Sequence, residues 1–152
     1  MVPSVRTGGS IVNEEVIMSK VAVVYWSQSG NTEAMANALA EAAGTQAVEV
    51  SSFSADMVDD YDAFAFGCPA MGDEVLEEGE FEPMFASVEN DLSGKKVALF
   101  GSYGWGDGQW MRDWEERCKN AGITLAADSV IANDAPDDDA VASCKALGAA
   151  LA

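Results

Sequence analysis

Val21-Ala22-Val23-Val24-Tyr25-Trp26-Ser27-Gln28-Ser29-Gly30-Asn31-Thr32 is the stretch whose reading decides the fold. Its first five residues form a continuous apolar run rich in β-branched side chains, as expected of a parallel strand buried on both faces. The chain that follows, residues 31–43, is alanine-rich, carries Met35, Leu39 and Ala42 or Ala43 at helical spacing, and stops at Gly44. Between the two lies a short loop with several hydroxyls and one glycine. Strand, tight loop and helix in this order are the opening half of a βαβ unit.

Working outward, the same alternation repeats to the C-terminus. Short strands are expected near 47–50 and at 63–67, a helix around 81–91, and a fourth strand at 97–100. A helix near 108–121 places Trp110, Met111, Trp114, Cys118 and Ala121 on one face and leaves Arg112, Asp113, Glu116 and Arg117 outside. A fifth strand falls within 123–132. The last helix opens near Pro136, with Asp137, Asp138 and Asp139 at its positive end and Val141, Cys144, Gly148 and Leu151 as its buried stripe. The fold class is therefore α/β: an open, doubly wound sheet of five parallel strands with helices on both faces and right-handed crossovers. Residues 1–17 show neither a periodic apolar pattern nor the apolar core of a secretory signal, so they read as a flexible extension. Met18 is the expected natural start, and 18–152 the single domain.

The composition prunes the functions open to such a domain. The 152 residues suffice for one core, and 49% hydrophobic with 22% charged residues is a globular, soluble balance with no membrane-length apolar run. There is no histidine, which removes the commonest general base, the usual zinc ligand and any Ser-His-Asp triad. Three cysteines, Cys68, Cys118 and Cys144, share no metal-binding or redox spacing and fit a reducing cytoplasm. Acidic residues outnumber basic ones 26 to 8, for a net charge of -18. That charge disfavours nucleic acid and anionic membranes and suits basic partners, although a purely solubilising surface has the same composition.

In a doubly wound sheet, ligands bind beyond the carboxyl ends of the strands at the switch in strand order. Three unusual loops occupy such ends. Residues 27–32 offer hydroxyls from Ser27, Ser29 and Thr32, the flexible Gly30, and the free N–H groups of a helix start, a combination suited to a terminal phosphate. Lacking the lysine of a nucleoside-triphosphate loop and the spaced glycines of a dinucleotide fold, the loop points to a phosphomonoester. An ordinary helix cap uses the same residues. Cys68-Pro69-Ala70-Met71-Gly72-Asp73-Glu74 supplies an apolar side chain, a free glycine and two carboxylates, or simply an acidic turn. Gly101-Ser102-Tyr103-Gly104-Trp105-Gly106-Asp107-Gly108 holds a tryptophan between glycines, either an exposed aromatic platform or a ring packed on its own loop.

Taken together, the three loops resemble the flavodoxin family, specifically its short-chain members, over the whole of residues 21–152. Residues 26–33 look like that family's phosphate loop, 67–74 and 100–108 like its two flavin loops, and Phe81-Glu82-Pro83 like the helix after the first of these. The resemblance implies strand order 2-1-3-4-5 and bound flavin mononucleotide (FMN). Its phosphate would be held by Ser27, Ser29, Gly30, Asn31 and Thr32, with Trp26 and Gln28 of the same loop also at the cofactor. Its ring would lie among Pro69, Ala70, Met71, Gly72, Asp73 and Glu74 on one side and Ser102, Tyr103, Gly104, Trp105, Gly106 and Asp107 on the other. Met71 and Trp105 would cover the two ring faces, Glu74 would accept the flavin N3–H, and the Gly72 carbonyl would turn to accept the N5–H of reduced flavin. The loop Asn133-Asp134-Ala135-Pro136 resembles the family's segment before the last helix; which of its residues approaches the flavin stays open, and Asn133 is carried over as a further contact. Gln28 and Pro69 depart from the family pattern, which favours a small residue and a hydroxyl there.

The function so implied is a low-potential, monomeric one-electron carrier, shuttling between semiquinone and hydroquinone and serving basic redox proteins such as ferredoxin or flavodoxin reductases and iron–sulfur oxidoreductases. An FMN-dependent NAD(P)H:quinone oxidoreductase on the same fold is the alternative; its nicotinamide site usually comes from inserted loops or a neighbouring subunit, and the connections here are short. A phosphoacceptor receiver domain needs acidic residues after strand one, where this chain has Trp26-Ser27-Gln28.

Overall fold

The computed structural model describes residues 20–152, so the expected extension at 1–17 lies outside the described residues. The strands are β1 (Val21–Tyr25), β2 (Ala47–Glu49), β3 (Ala63–Gly67), β4 (Lys96–Tyr103) and β5 (Val130–Asn133). The helices are α1 (Asn31–Ala43), α2 (Phe81–Val88), α3 (Gln109–Asn120) and α4 (Asp138–Leu151). All strand pairs are parallel and the spatial order is β2-β1-β3-β4-β5, the doubly wound arrangement expected.

Alternation along the central strands divides the core in two. Ala22, Val24, Phe64, Phe66, Val97 and Leu99 face α2 and α3, where Phe81, Phe85, Trp110 and Trp114 fill a large aromatic layer. The opposite face presents Val21, Val23, Ala63, Ala65 and Ala98 to α1 and α4. Small strand residues there let those two helices lie close to the sheet and to each other. Each fully buried phenylalanine or leucine contributes about 1.5–3 kcal/mol of transfer free energy. Among the described residues no helix is long and apolar enough to cross a membrane.

Several boundaries differ from those expected, each for a tertiary reason. β4 runs to Tyr103 rather than stopping near residue 100, because the chain beyond β3 stays on the ladder. The Cys68 and Ala70 N–H groups donate to the Phe100 and Ser102 carbonyls at 3.2 and 3.0 Å. On its other flank, Phe100 to Tyr103 pair with Val130 to Asn133. The fifth strand is therefore later than residues 123–132 suggest, and it is interrupted: Leu125 bridges Val97, whereas Val130 pairs with Phe100. Three steps along β4 are matched by five along the edge chain, so two extra residues bulge out. Likewise α2 stops at Val88 and gives way to a single 3₁₀ turn, Glu89–Asp91.

α4 starts at Asp138, with the Asp137 carboxylate accepting the Ala140 N–H at 2.8 Å as its cap. Its buried stripe includes Leu147, while Val141 is only half-buried. Arg117 is half-buried rather than outside, forming ion pairs with Glu82 at 2.7 Å and Glu89 at 2.9 Å that tie α3 to α2. Hydrogen bonds from Glu89 and Glu82 raise its pKa further, so its charge is permanent.

Candidate cofactor-binding site

The three ligand-like loops leave the carboxyl ends of β1, β3 and β4, which are the three central strands. The chain passes from β1 outward to β2 and back across to β3, so the switch in strand order lies between the first two of these loops.

The first loop is built around its glycine and serines. Gly30 caps α1 with φ of 94°, a left-handed conformation, and a Cβ there would meet nothing within 4 Å. Glycine is needed for the backbone angle rather than for space. The Ser27 hydroxyl oxygen accepts the N–H groups of Gly30 at 3.1 Å and Glu33 at 3.2 Å, and that of Ser29 accepts the Asn31 N–H at 3.4 Å. Helix capping and phosphate binding are therefore compatible here: each serine oxygen orders the loop, and its proton can be donated to an anion. Thr32 is buried, its Oγ1 accepting the Ser102 N–H at 3.3 Å and lying 3.2 Å from the Ser102 hydroxyl. Tyr25 donates to the Glu33 carboxylate at 3.1 Å. Burial, reinforced by that carboxylate, pushes the tyrosine pKa up to about 12 and keeps it a donor.

Pro69 in the second loop falls between Cys68 and Ala70, whose N–H groups make the ladder bonds to β4, so its missing donor breaks none of them. A turn follows: the Glu74 N–H donates to the Met71 carbonyl at 2.7 Å. Gly72 and Asp73 are its central residues, and the Gly72 carbonyl belongs to the central peptide, whose direction this turn bond does not restrain. Glu74 sits at φ of 53° and accepts the Gln109 N–H at the start of α3, at 3.1 Å, through Oε1. Its second oxygen is left for another donor.

Behind this turn, the Glu77 carboxylate accepts N–H bonds from Gly79, Glu80 and Phe81 at 2.7, 2.8 and 2.8 Å. Partial burial opposes its ionisation, yet the three N–H bonds prevail and hold its pKa below the usual value. Cys68 is fully buried, its sulfur accepting the Glu77 N–H at 3.3 Å, and burial pushes its thiol up to about 12. A neutral thiol there packs and does not react.

Loop three leaves Trp105 61% exposed, so the ring is not packed against its own loop and remains available as a platform. Val75, directly after the second loop, is also exposed. Asp107 is paired with Arg112 on α3 at 2.9 Å.

A cavity of about 220 Å³ opens where the loops meet. It is lined by Ser27, Gln28, Ser29, Asn31, Thr32, Pro69, Ala70, Met71, Ser102, Tyr103, Gly104 and Asp134, with no lysine or arginine. Of the other expected site residues, Trp26, Gly30, Gly72, Asp73, Glu74, Trp105, Gly106, Asp107 and Asn133 do not line it. Trp26 instead donates to Glu80 at 3.2 Å. Asn133 is not the residue that reaches the cavity from the last loop. It pairs with Tyr103 in the sheet and its Nδ2 donates to the Tyr103 carbonyl at 3.3 Å, so it braces the third loop. Asp134, which the sequence reading did not single out, lines the cavity from a left-handed turn at φ of 59°. Its one local signal is residue type, since Asp tolerates that conformation at a strand exit better than most.

A larger cavity, about 680 Å³, lies along β5 and α4. It is lined by the two loop segments that flank β5, by β5 itself and by α4, including Asp128, Asp137 and Asp139, and of the two cavities it is the smaller that joins all three loops. The smaller cavity suits the phosphate end of FMN. Three serines and a threonine, Ser27, Ser29, Ser102 and Thr32, line it beside the α1 N-terminus, whose dipole favours an anion. Met71 at its wall, Trp105 on the neighbouring loop and the spare Glu74 oxygen are groups that could hold a planar ring with an N–H edge.

Known proteins agree with this geometry. A family profile described as Flavodoxin matches residues 23–147. Flavodoxin from Clostridium beijerinckii is 47% identical over 121 residues, covering 76% of this chain and 88% of the relative. Flavodoxin from Megasphaera elsdenii is 45% identical over 137 residues, covering 87% and 98%. The solution structure of two-electron reduced Megasphaera elsdenii flavodoxin superposes with a TM-score of 0.78 at 43% identity, covering 86% of this chain and 97% of that one. With the sheet order, the convergent loops and these likenesses in agreement, the chain belongs to the flavodoxin family, whose members are FMN-binding electron-transfer proteins rather than enzymes.

Proposed function

We propose that this flavodoxin is a low-potential carrier, working in the cytoplasm between the semiquinone and hydroquinone states of FMN and delivering electrons to basic redox proteins. The bound flavin supplies the redox chemistry, and the protein supplies binding and electrostatics. The observation that carries the reading is the charge around the cavity: Asp134 lines it, Asp73 and Glu74 stand in the adjoining turn, and no cationic side chain lines it.

Not every nearby carboxylate counts equally. Glu77 is held by three N–H groups and Asp107 is paired with Arg112, so both present less negative field than their charge suggests. Each remaining carboxylate at roughly 8 Å and an effective dielectric of about 40 disfavours an added negative charge by about 1 kcal/mol. For one electron that is about 40 mV, so the three together lower the second reduction step by order 100 mV.

Gly72 would separate the two electron steps. Its carbonyl, in the central peptide of the turn, can accept one hydrogen bond from half-reduced flavin, worth about 0.5–1.5 kcal/mol. A redox titration followed by absorbance tests this. The native protein should pass from yellow through a blue intermediate, and Gly72→Pro, which fixes φ at residue 72 and removes the conformational freedom that glycine gives the turn, should lower the yield of that intermediate several-fold. An unchanged yield in the variant would contradict the role given to Gly72, and failure to bind FMN would overturn the reading as a whole.

A further inference from the structure

We infer that Ser102 is a positioning residue that couples phosphate binding to ring binding, through hydrogen bonds joining all three ligand loops at one buried residue. This rests on the FMN reading above. Among the described residues, the buried polar ones are Thr32, 1% exposed, and Ser102, 5% exposed, and they are bonded to each other across 70 positions of chain. The Ser102 N–H donates to Thr32 Oγ1 at 3.3 Å, and the two hydroxyl oxygens lie 3.2 Å apart. On the other side, the Ser102 carbonyl accepts the Ala70 N–H at 3.0 Å, one residue before Met71 and its turn. Tyr103 and Gly104 follow Ser102 directly and line the cavity.

Ser102 thus touches the phosphate loop through its N–H and its hydroxyl and the second loop through its carbonyl, and it opens the third. The preceding buried positions of β4, Val97 to Phe100, are apolar. A hydroxyl in such a place is unfavourable unless it is paired, and its partner lies in the phosphate loop. Whichever part of the ligand arrives first orders one loop, and through Ser102 it removes part of the freedom that the other loops would otherwise lose on binding. Coupling of this kind is reciprocal. Phosphate in the first loop should therefore tighten ring binding at the other two.

Riboflavin, which carries the ring but no phosphate, separates the two halves. Its affinity for the apoprotein, measured by fluorescence quenching without inorganic phosphate and at phosphate concentrations that saturate each variant, at constant ionic strength, gives a coupling ratio that a weaker phosphate contact does not by itself lower. For the native protein the ratio should be about fivefold or more. Ser102→Ala, which removes the hydroxyl contact but keeps the backbone N–H bond to Thr32, should lower it about twofold or more, and Thr32→Val, which removes both bonds, should bring it below about twofold. Thr32→Ser, which keeps the hydroxyl, should retain it. If Ser102→Ala does not fold, the two Thr32 variants carry the comparison. A native ratio near one overturns the inference, as does a ratio that survives Ser102→Ala while only the melting temperature falls. Those outcomes leave flavin binding intact, whereas native protein that takes up neither riboflavin nor FMN overturns the cofactor reading instead.

Discussion

Glu77 shows how a single acidic residue can be miscounted from sequence. In a run that reads 73–80 as Asp-Glu-Val-Leu-Glu-Glu-Gly-Glu it is one of several apparently equivalent carboxylates, yet its carboxylate alone receives three N–H groups and so builds the start of α2. Its pKa is lowered in the folded state, against the effect of burial. The stability it contributes is therefore present above the unfolded value of about 4.3 and is lost as pH falls through the lower folded value. Glu77→Gln should destabilise the apoprotein by about 1–2 kcal/mol at neutral pH, the scale of a lost cap. Denaturant midpoints of the two proteins should converge as pH falls through that lowered folded value. A gap that stayed constant with pH would mean that the charge of Glu77 has no part in the cap. Asp134 is the complementary case at this scale: the loop 133–136 was legible as a candidate, yet it is Asp134 that lines the cavity and not its neighbour Asn133, whose side chain turns to Tyr103.

Among the elements, α1 and α4 are the pair on which the phosphate loop depends. They meet over Gly148, where an added Cβ would lie 2.2 Å from the Leu39 carbonyl oxygen. Backbone at that distance cannot rotate away as a side chain could, so one helix must move. Gly148→Ala should gain about 1 kcal/mol of helix propensity and lose more than that to overpacking, whose usual cost is about 1–3 kcal/mol with larger cases known. We expect a lower denaturant midpoint together with weaker FMN binding, because α1 carries Gly30 and the serine-capped loop at its N-terminus. A higher midpoint would show that the helices separate freely. The helical stripes were legible from spacing, as Met35, Leu39 and Cys144 show. Leu147 was missed because Gly148 beside it drew the stripe elsewhere, and β4 was cut short because Gly101 and Ser102 read as loop residues when they are paired on both sides.

At the scale of the whole molecule, a net charge of -18 and a cavity rim without lysine or arginine act in the same direction. Long-range attraction between this surface and a basic partner is screened over about 10 Å at 0.1 M salt. Stopped-flow electron transfer to a basic acceptor should therefore slow about tenfold or more between low and moderate ionic strength, and a salt-independent rate would remove the case for steering by charge. The alternation of buried strands with amphipathic helices was enough, read from the sequence alone, to establish the α/β architecture, because burial on two faces or on one stripe imposes a period on the chain. The resemblance of three short loops, each at a strand end, pointed to the cofactor for the same local reason. Only the tertiary structure decided which carboxylates face the cavity, that Glu77 and Asp107 are already engaged, and that Thr32 and Ser102 join the loops. Asp134 and the Thr32–Ser102 pair depend on residues brought together from distant parts of the chain, and Glu77 and Asp107 on the direction in which a side chain turns. Neither leaves a period in the sequence.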